Sequence, residues 1–302
     1  MSSIQILTGV YAAAVTPLKT DLTPDLTMVP ELLAFLAARG AHGALLLGTT
    51  GEGPSFSIAE REAIYRSAVK VKTRHPQFSL LAGTGTPSIE DTIHLNQVVF
   101  DLGFDGVVVL PPYYFRDASE DGLYTWFSRV IEGSIPEGGK LLGYHIPQVS
   151  GVALSDNLLS RLTAGFPAQF GGIKDSSGDL VHAQQTAATF PEHTLLVGHD
   201  RLLTSGLEAG AAGCITAPAN LISPQLRKIY DLYKDGKDTS EAQLQVDAVR
   251  KVLETLTPFP AAVKGLLNEL HGFPLWPVKP PLEMFPEEKI NSAAKEINRI
   301  VE

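Results

Sequence analysis

Apolar residues along the chain follow two alternating patterns. Short apolar runs that end in Gly, Pro, Thr or Asp give way to longer stretches in which apolar positions recur at helical spacing. Eight short runs stand out: Val10–Val15, Ala44–Leu47, Leu80–Gly83, Val107–Leu110, Leu141–Ile146, Phe170–Ile173, Thr194–Gly198 and Gly213–Thr216. Most lack polar alternation, as strands covered on both faces do. The segments between them carry helix punctuation. Ser57 stands three residues before Glu60 in a capping-box pattern, Ser88 precedes the acidic first turn Ile89-Glu90-Asp91, and Gly40 and Gly103 sit where helices end. Eight strands with a helix after nearly every one predict an α/β fold, a closed (β/α)8 TIM barrel rather than an open doubly wound sheet.

The pattern changes after Asn220. From Ser223, Leu, Ile, Val and Tyr recur at helical spacing through Leu256, then around Ala261–Leu270 and Ile290–Ile300, with Pro-rich breaks between and no strand run. The expected organisation is therefore a barrel over residues 1–222 carrying the active site, with a C-terminal helical extension over 223–302 packed on it.

Composition narrows the function classes. The 302 residues are 44% hydrophobic and 19% charged, enough to bury a sizeable core and far from the composition of a disordered chain. A net charge of −9, with basic residues scattered, argues against a nucleic-acid partner. The single cysteine, Cys214, cannot form an intrachain disulfide and lies in an apolar run, which points to a reducing compartment. No basic n-region and long apolar run opens the chain, and no stretch approaches about 18 uninterrupted apolar residues. A soluble, cytoplasmic protein without membrane contact is expected.

Barrels place chemistry at the C-terminal ends of their strands. The reactive side chains that fall there are Thr49-Thr50, Tyr113-Tyr114, Tyr144, Lys174, Asp200 and Thr216. Lys174 closes the sixth run, where an ammonium must be exposed, paired or deprotonated. It reads either as a strand-end lysine reaching solvent or Asp175, or as a desolvated amine able to attack a keto carbon and form a Schiff base. Tyr144 reads either as a core tyrosine or as a proton shuttle. Gly48-Thr49-Thr50-Gly51-Glu52-Gly53 is either a plain βα turn or one whose N–H groups converge on a carboxylate. The eight histidines show no metal-ligand spacing, no Gly-x-Ser-x-Gly elbow is present, and neither glycine-rich turn has nucleotide-binding spacing. No metal or cofactor is expected.

Taken together, Gly48-Thr49-Thr50-Gly51-Glu52, Pro112-Tyr113-Tyr114, Gly143-Tyr144-His145-Ile146-Pro147 with Gly151, and Gly171-Gly172-Ile173-Lys174-Asp175-Ser176-Ser177-Gly178-Asp179 resemble the dihydrodipicolinate synthase/N-acetylneuraminate lyase family along nearly the whole chain. The resemblance implies class I, pyruvate-dependent aldolase chemistry, usually in a homotetramer built from two tight dimers. It makes Lys174 the imine-forming lysine and Tyr144 the proton shuttle. Thr49 and Thr50 would hold the pyruvate carboxylate, with Thr49 linking Tyr144 to a tyrosine donated across a dimer interface. Tyr114 best fits that last role, Tyr113 being the alternative. Gly48, Ser176, Asp200 and Thr216 complete the expected substrate-binding set; Gly198-His199-Asp200 matches a position where sialic acid lyases bind hydroxyls.

Two departures bear on substrate. The synthases proper read Tyr-Asn-x-Pro-x-Arg-Thr-Gly after the tyrosine, and here Val149 stands at the arginine position and His145 at the asparagine. A valine cannot clamp a carboxylate. The first expectation is thus a lyase that reversibly cleaves a 4-hydroxy-2-oxo acid to pyruvate and an aldehyde. The alternatives are a 4-hydroxy-tetrahydrodipicolinate synthase acting on aspartate semialdehyde, a sugar-acid dehydratase, or a catalytically silent barrel that binds a keto acid.

Overall fold

The computed structural model describes residues 7–302. The eight apolar runs form eight parallel strands: β1 (Gly9–Ala13), β2 (Gly43–Leu46), β3 (Ser79–Gly83), β4 (Gly106–Val109), β5 (Leu141–His145), β6 (Phe170–Asp175), β7 (Thr194–Val197) and β8 (Gly213–Thr216). They pair in sequence order and close through β1 and β8, giving the expected (β/α)8 barrel. Alternation along each strand divides the core in two. Tyr11, Leu45, Leu81, Val108, Leu142, Leu196 and Ile215 fill the barrel interior. Their neighbours, among them Val10, Ala44, Leu80, Val107, Ile173, Val197 and Cys214, face the surrounding helices. Two-sided burial is why these runs are apolar at consecutive positions.

The barrel helices are α1 (Met28–Ala38), α2 (Ile58–Ala68), α3 (Ile89–Asp101), α4 (Glu120–Ser134), the single turn α5 (Pro147–Ser150), α6 (Asp156–Gly165), α7 (Leu180–Thr189) and α8 (Leu203–Glu208). Their starts follow local chemistry. Ser57 and Glu60 form the reciprocal capping box of α2, and Ser88 caps α3 through the Asp91 N–H. Gly40 (φ 89°) and Gly103 (φ 79°) turn the chain out of α1 and α3 through left-handed backbone.

Beyond β8 come α9 (Ala219–Lys234), α10 (Ser240–Leu253), α11 (Phe259–His271) and α12 (Glu287–Val301). Helix α9 begins before Ser223: its first turn packs on β1, and the chain kinks at Ile222 (φ −125°, ψ 37°), two residues before Pro224. The barrel wall and the helical extension thus share one bent helix. Val246, Val249, Val263, Leu266, Ile290 and Ile297 join the helix-facing core, which accounts for their helical spacing. Among the described residues no helix is long and apolar enough to cross a membrane.

Asn220 fastens that shared helix to the strand that closes the barrel. Wholly buried, it donates through Nδ2 to the Ala13 and Ala217 carbonyls at 2.8 Å and accepts the Val15 N–H at 3.3 Å. Replacing it leaves three backbone groups buried without this partner. Asn220→Ala is expected to lower the unfolding free energy by about 2–4 kcal/mol, measured by urea denaturation.

Candidate active site

The central pair comes from adjacent strands. Tyr144 on β5 and Lys174 on β6 are register partners, so their side chains share the interior face near the C-terminal mouth. Lys174 is 3% exposed, which excludes a lysine reaching solvent. Asp175 points to the other face and uses its carboxylate on the His182 ring and the Ser177 N–H. Among the described residues no carboxylate lies within 4.0 Å of the Lys174 amine. Its Nζ sits instead 4.2 Å from the centre of the Tyr144 ring. The aromatic face offsets part of the cost of burying the cation.

The Tyr144 hydroxyl lies 3.3 Å from Thr49 Oγ1. Burial pushes its pKa up, yet the Lys174 charge and the hydrogen bonds of Thr49, Ser176 and Lys174 outweigh burial and hold the phenol below its ordinary value. Lysine, phenol and threonine therefore form one connected set, with the phenol prepared to release its proton.

Thr49 belongs to a turn that only small residues and unusual backbone permit. Leu47 (φ 54°) and Glu52 (φ 58°) are left-handed, and a Cβ on Gly51 would stand 2.8 Å from the Ala14 carbonyl. The turn closes on itself through Glu52 N–H to Thr49 O and Gly53 N–H to Gly48 O, both 3.1 Å. Gly48 and Thr50 are buried and Thr49 is exposed. The Thr49 and Thr50 N–H groups have no backbone acceptor among the described residues, as a carboxylate cradle requires.

The other expected site residues divide. Ser176 stands beside the pair: its N–H donates to the His145 carbonyl at 2.8 Å, and its own carbonyl accepts from Gln148. Tyr114 is 74% exposed, packed edge-on against the equally exposed Phe115, and makes no hydrogen bond to Thr49 or Tyr144 within the chain. Tyr113 is half-buried, and Val149 projects from α5 at 54% exposure.

Two expected substrate ligands sit elsewhere. Thr216 shares the face of Cys214, with Ile215 alone turned inward, so its hydroxyl looks into the layer between barrel and helices. Asp200 is wholly buried in that layer; its Oδ1 is 2.6 Å from the Arg250 guanidinium of α10, and its carbonyl accepts from Gln243. Asp200 Oδ2 and Thr216 Oγ1 are both buried without a hydrogen-bond partner among the described residues. A cavity of about 530 Å³ does open at the opposite end, lined by Tyr11, His42 and Ser79, but its arginines, Arg74 and Arg227, are spent on Glu31 and Asp231.

A parallel barrel with a buried, uncountered lysine beside an acidified tyrosine is the framework of a Schiff-base lyase. Residues 6–300 match the Dihydrodipicolinate synthetase family, and the chain belongs to that family of class I, pyruvate-dependent lyases. An uncharacterized DapA-like lyase of Chloroflexus aurantiacus is 35% identical over 294 residues, 97% of each chain. 4-Hydroxy-tetrahydrodipicolinate synthase 2 of Halalkalibacterium halodurans is 30% identical over 283 residues, covering 90% of this chain and 91% of its own. Among solved structures, YagE of E. coli K12 in complex with pyruvate superposes with a TM-score of 0.90 at 26% identity, covering 98% of this chain and 99% of its own.

One cluster beside the site escaped the sequence reading because its members lie on three elements. His145 of β5, Asp175 of β6 and His182 of α7 bring one ligand atom each within 4.8 Å. The imidazoles stack at 4.4 Å and 13°, and each Nδ1 is engaged, His145 by the Leu154 N–H and His182 by Asp175. Ring lone pairs in parallel planes do not converge on one ion, so the geometry suits proton sharing better than coordination. The Asp175 hydrogen bond raises the His182 pKa; burial lowers that of His145. For Asp175, burial pushes upward, and the His182 and Ser177 hydrogen bonds overcome it to leave the carboxyl low.

The pH dependence follows. His182 contributes stability fully below the ordinary histidine value of 6.5 and loses it as pH rises through its raised folded value. Asp175 contributes above the ordinary value of 3.8 and loses it as pH falls through its lowered one. The stability advantage of the wild type over His182→Ala is therefore expected to be largest near pH 5 and to shrink as pH rises through the raised His182 value, read from urea midpoints between about pH 5 and 8.

Proposed function

We propose that the chain reversibly cleaves a 4-hydroxy-2-oxo acid to pyruvate and an aldehyde through an imine on Lys174. The observation that carries this reading is the buried Lys174 amine, without a carboxylate partner, against a Tyr144 whose hydroxyl rests on Thr49. The Lys174 amine attacks the keto carbon, and loss of water from the carbinolamine leaves a protonated imine. The Tyr144 oxygen takes the proton of the substrate 4-hydroxyl as the C3–C4 bond breaks. The aldehyde departs, and the bond's electron pair moves into an enamine stabilised by the imine nitrogen. Protonation at C3 and hydrolysis release pyruvate and restore the amine. The imine is itself the electron sink, so the scheme calls on no further cofactor.

Thr49 and Thr50 hold the keto-acid carboxylate through their free N–H groups, beside Gly48 and Ser176. In this reading Tyr114 is lent to a second copy in a homotetramer of two dimers, which its exposure on its loop supports. The lone buried Cys214 fits a cytoplasmic setting. YagE's complex with pyruvate supports the keto-acid half of the reaction. The synthase from Halalkalibacterium halodurans favours a second reading, condensation of pyruvate with aspartate semialdehyde. Val149, where that reaction's arginine would stand, weighs against it.

Mixing the protein with pyruvate and a mild hydride reductant is expected to leave one reduced pyruvyl adduct, mapped by peptide mass spectrometry to Lys174 and lost in Lys174→Ala. An adduct elsewhere, or full activity in that variant, sinks the reading. Tyr144→Phe is expected to lower kcat by about 10²- to 10⁴-fold.

A further inference from the structure

We infer that Glu52 and Lys264 form a positioning pair through which the C-terminal helix α11 holds the Thr49–Thr50 turn in its working shape. Both side chains are wholly buried, 212 residues apart in sequence. Lys264 Nζ lies 2.5 Å from Glu52 Oε1 and 2.6 Å from the Pro277 carbonyl, and the Lys279 N–H donates to Glu52 Oε2 at 2.8 Å. Each carboxylate oxygen thus has a donor, and both donors come from the helical extension. The Lys279 side chain continues the clamp, its Nζ 2.6 Å from Glu60 and 4.5 Å from the centre of the Phe56 ring.

The pair's position gives it leverage. A buried ion pair is weak evidence for stability, since apolar residues of the same volume hold a fold as well; what it supplies is direction. Here it orients a residue whose backbone is left-handed and whose N–H donates to the Thr49 carbonyl. Thr49 in turn meets Tyr144. An unbroken sequence of contacts therefore runs from Lys264 through Glu52 and Thr49 to the phenol. Arg61 of α2 supports the far side of the turn, donating to the Gly53 carbonyl at 2.6 Å.

The inference rests on the lyase reading above, and the two are tested separately. Adduct formation between wild-type protein and pyruvate reports on the lyase reading alone. For the pair, Glu52→Gln and Lys264→Met are compared with wild type in folded fraction, steady-state kinetics and pH profile, each also in a Thr49→Val background. The double variant Glu52→Gln/Lys264→Met leaves no buried charge of the pair, and keeps the comparison available if either single variant fails to fold. The expected result is a pyruvate KM raised about tenfold in either background, because valine keeps the backbone groups of the turn, and a shifted pH limb for the phenol only where the Thr49 hydroxyl is present. Kinetics per folded molecule within twofold of wild type, or a shift of the phenol's pH limb that is unchanged in the Thr49→Val background, would overturn it.

Discussion

Closure of the parallel barrel is the constraint on which the rest depends. Once β1 pairs with β8, every strand is covered on both faces and the interior is packed by inward side chains, Tyr11, Leu45, Leu81, Leu142, Leu196 and Ile215 among them. Such an interior has no water to solvate a charge and little room for a counterion. A lysine projecting into it must find compensation from its neighbours, and the neighbour that closure supplies to Lys174 is a phenol ring.

The buried lysines illustrate how differently two sites can meet the same cost. Lys264 is satisfied by a carboxylate and a carbonyl, although burial outweighs the Glu52 charge and holds its pKa below the ordinary lysine value. Lys174 has an aromatic face and, among the described residues, no carboxylate within 4.0 Å. The buried acids Glu52, Asp175 and Asp200 are all committed elsewhere, to Lys264, His182 and Arg250. The countercharges of the interior are thus arranged so that the one amine at the mouth is left chemically free, while its presence draws the Tyr144 phenol toward its ionised form.

The layer between barrel and helices carries the polar fastenings. Asp175 with His182, Asp200 with Arg250, and Asn220 with the β1 carbonyl each join a strand end to a helix. They hold the strand ends whose inward side chains make the site, and they link the helical extension to the mouth at more than one point. Asp200, standing directly after β7, belongs to this group through its Oδ1, while its Oδ2 is buried without a hydrogen-bond partner among the described residues.

The chain's own pattern determined the strands, their order and the residues at their C-terminal ends, because burial on both faces and helix capping are local demands written into consecutive residues. Lys174, Tyr144 and Thr49 were legible for the same reason: each follows directly on an apolar run or a glycine-rich turn, and the combined motifs carried the family. What only the tertiary structure decided is which face each of those residues presents and which distant group it meets. Thr216 turned outward because barrel registry places Ile215 inside. Asp200 was claimed by a helix 50 residues on, His145 and Asp175 were drawn to His182, and Glu52 was paired with a lysine from the far end of the chain. None of these pairings has a sequence interval that announces it. They arise when a helix docks at one angle on a closed sheet, and buried charges are compelled to find each other there.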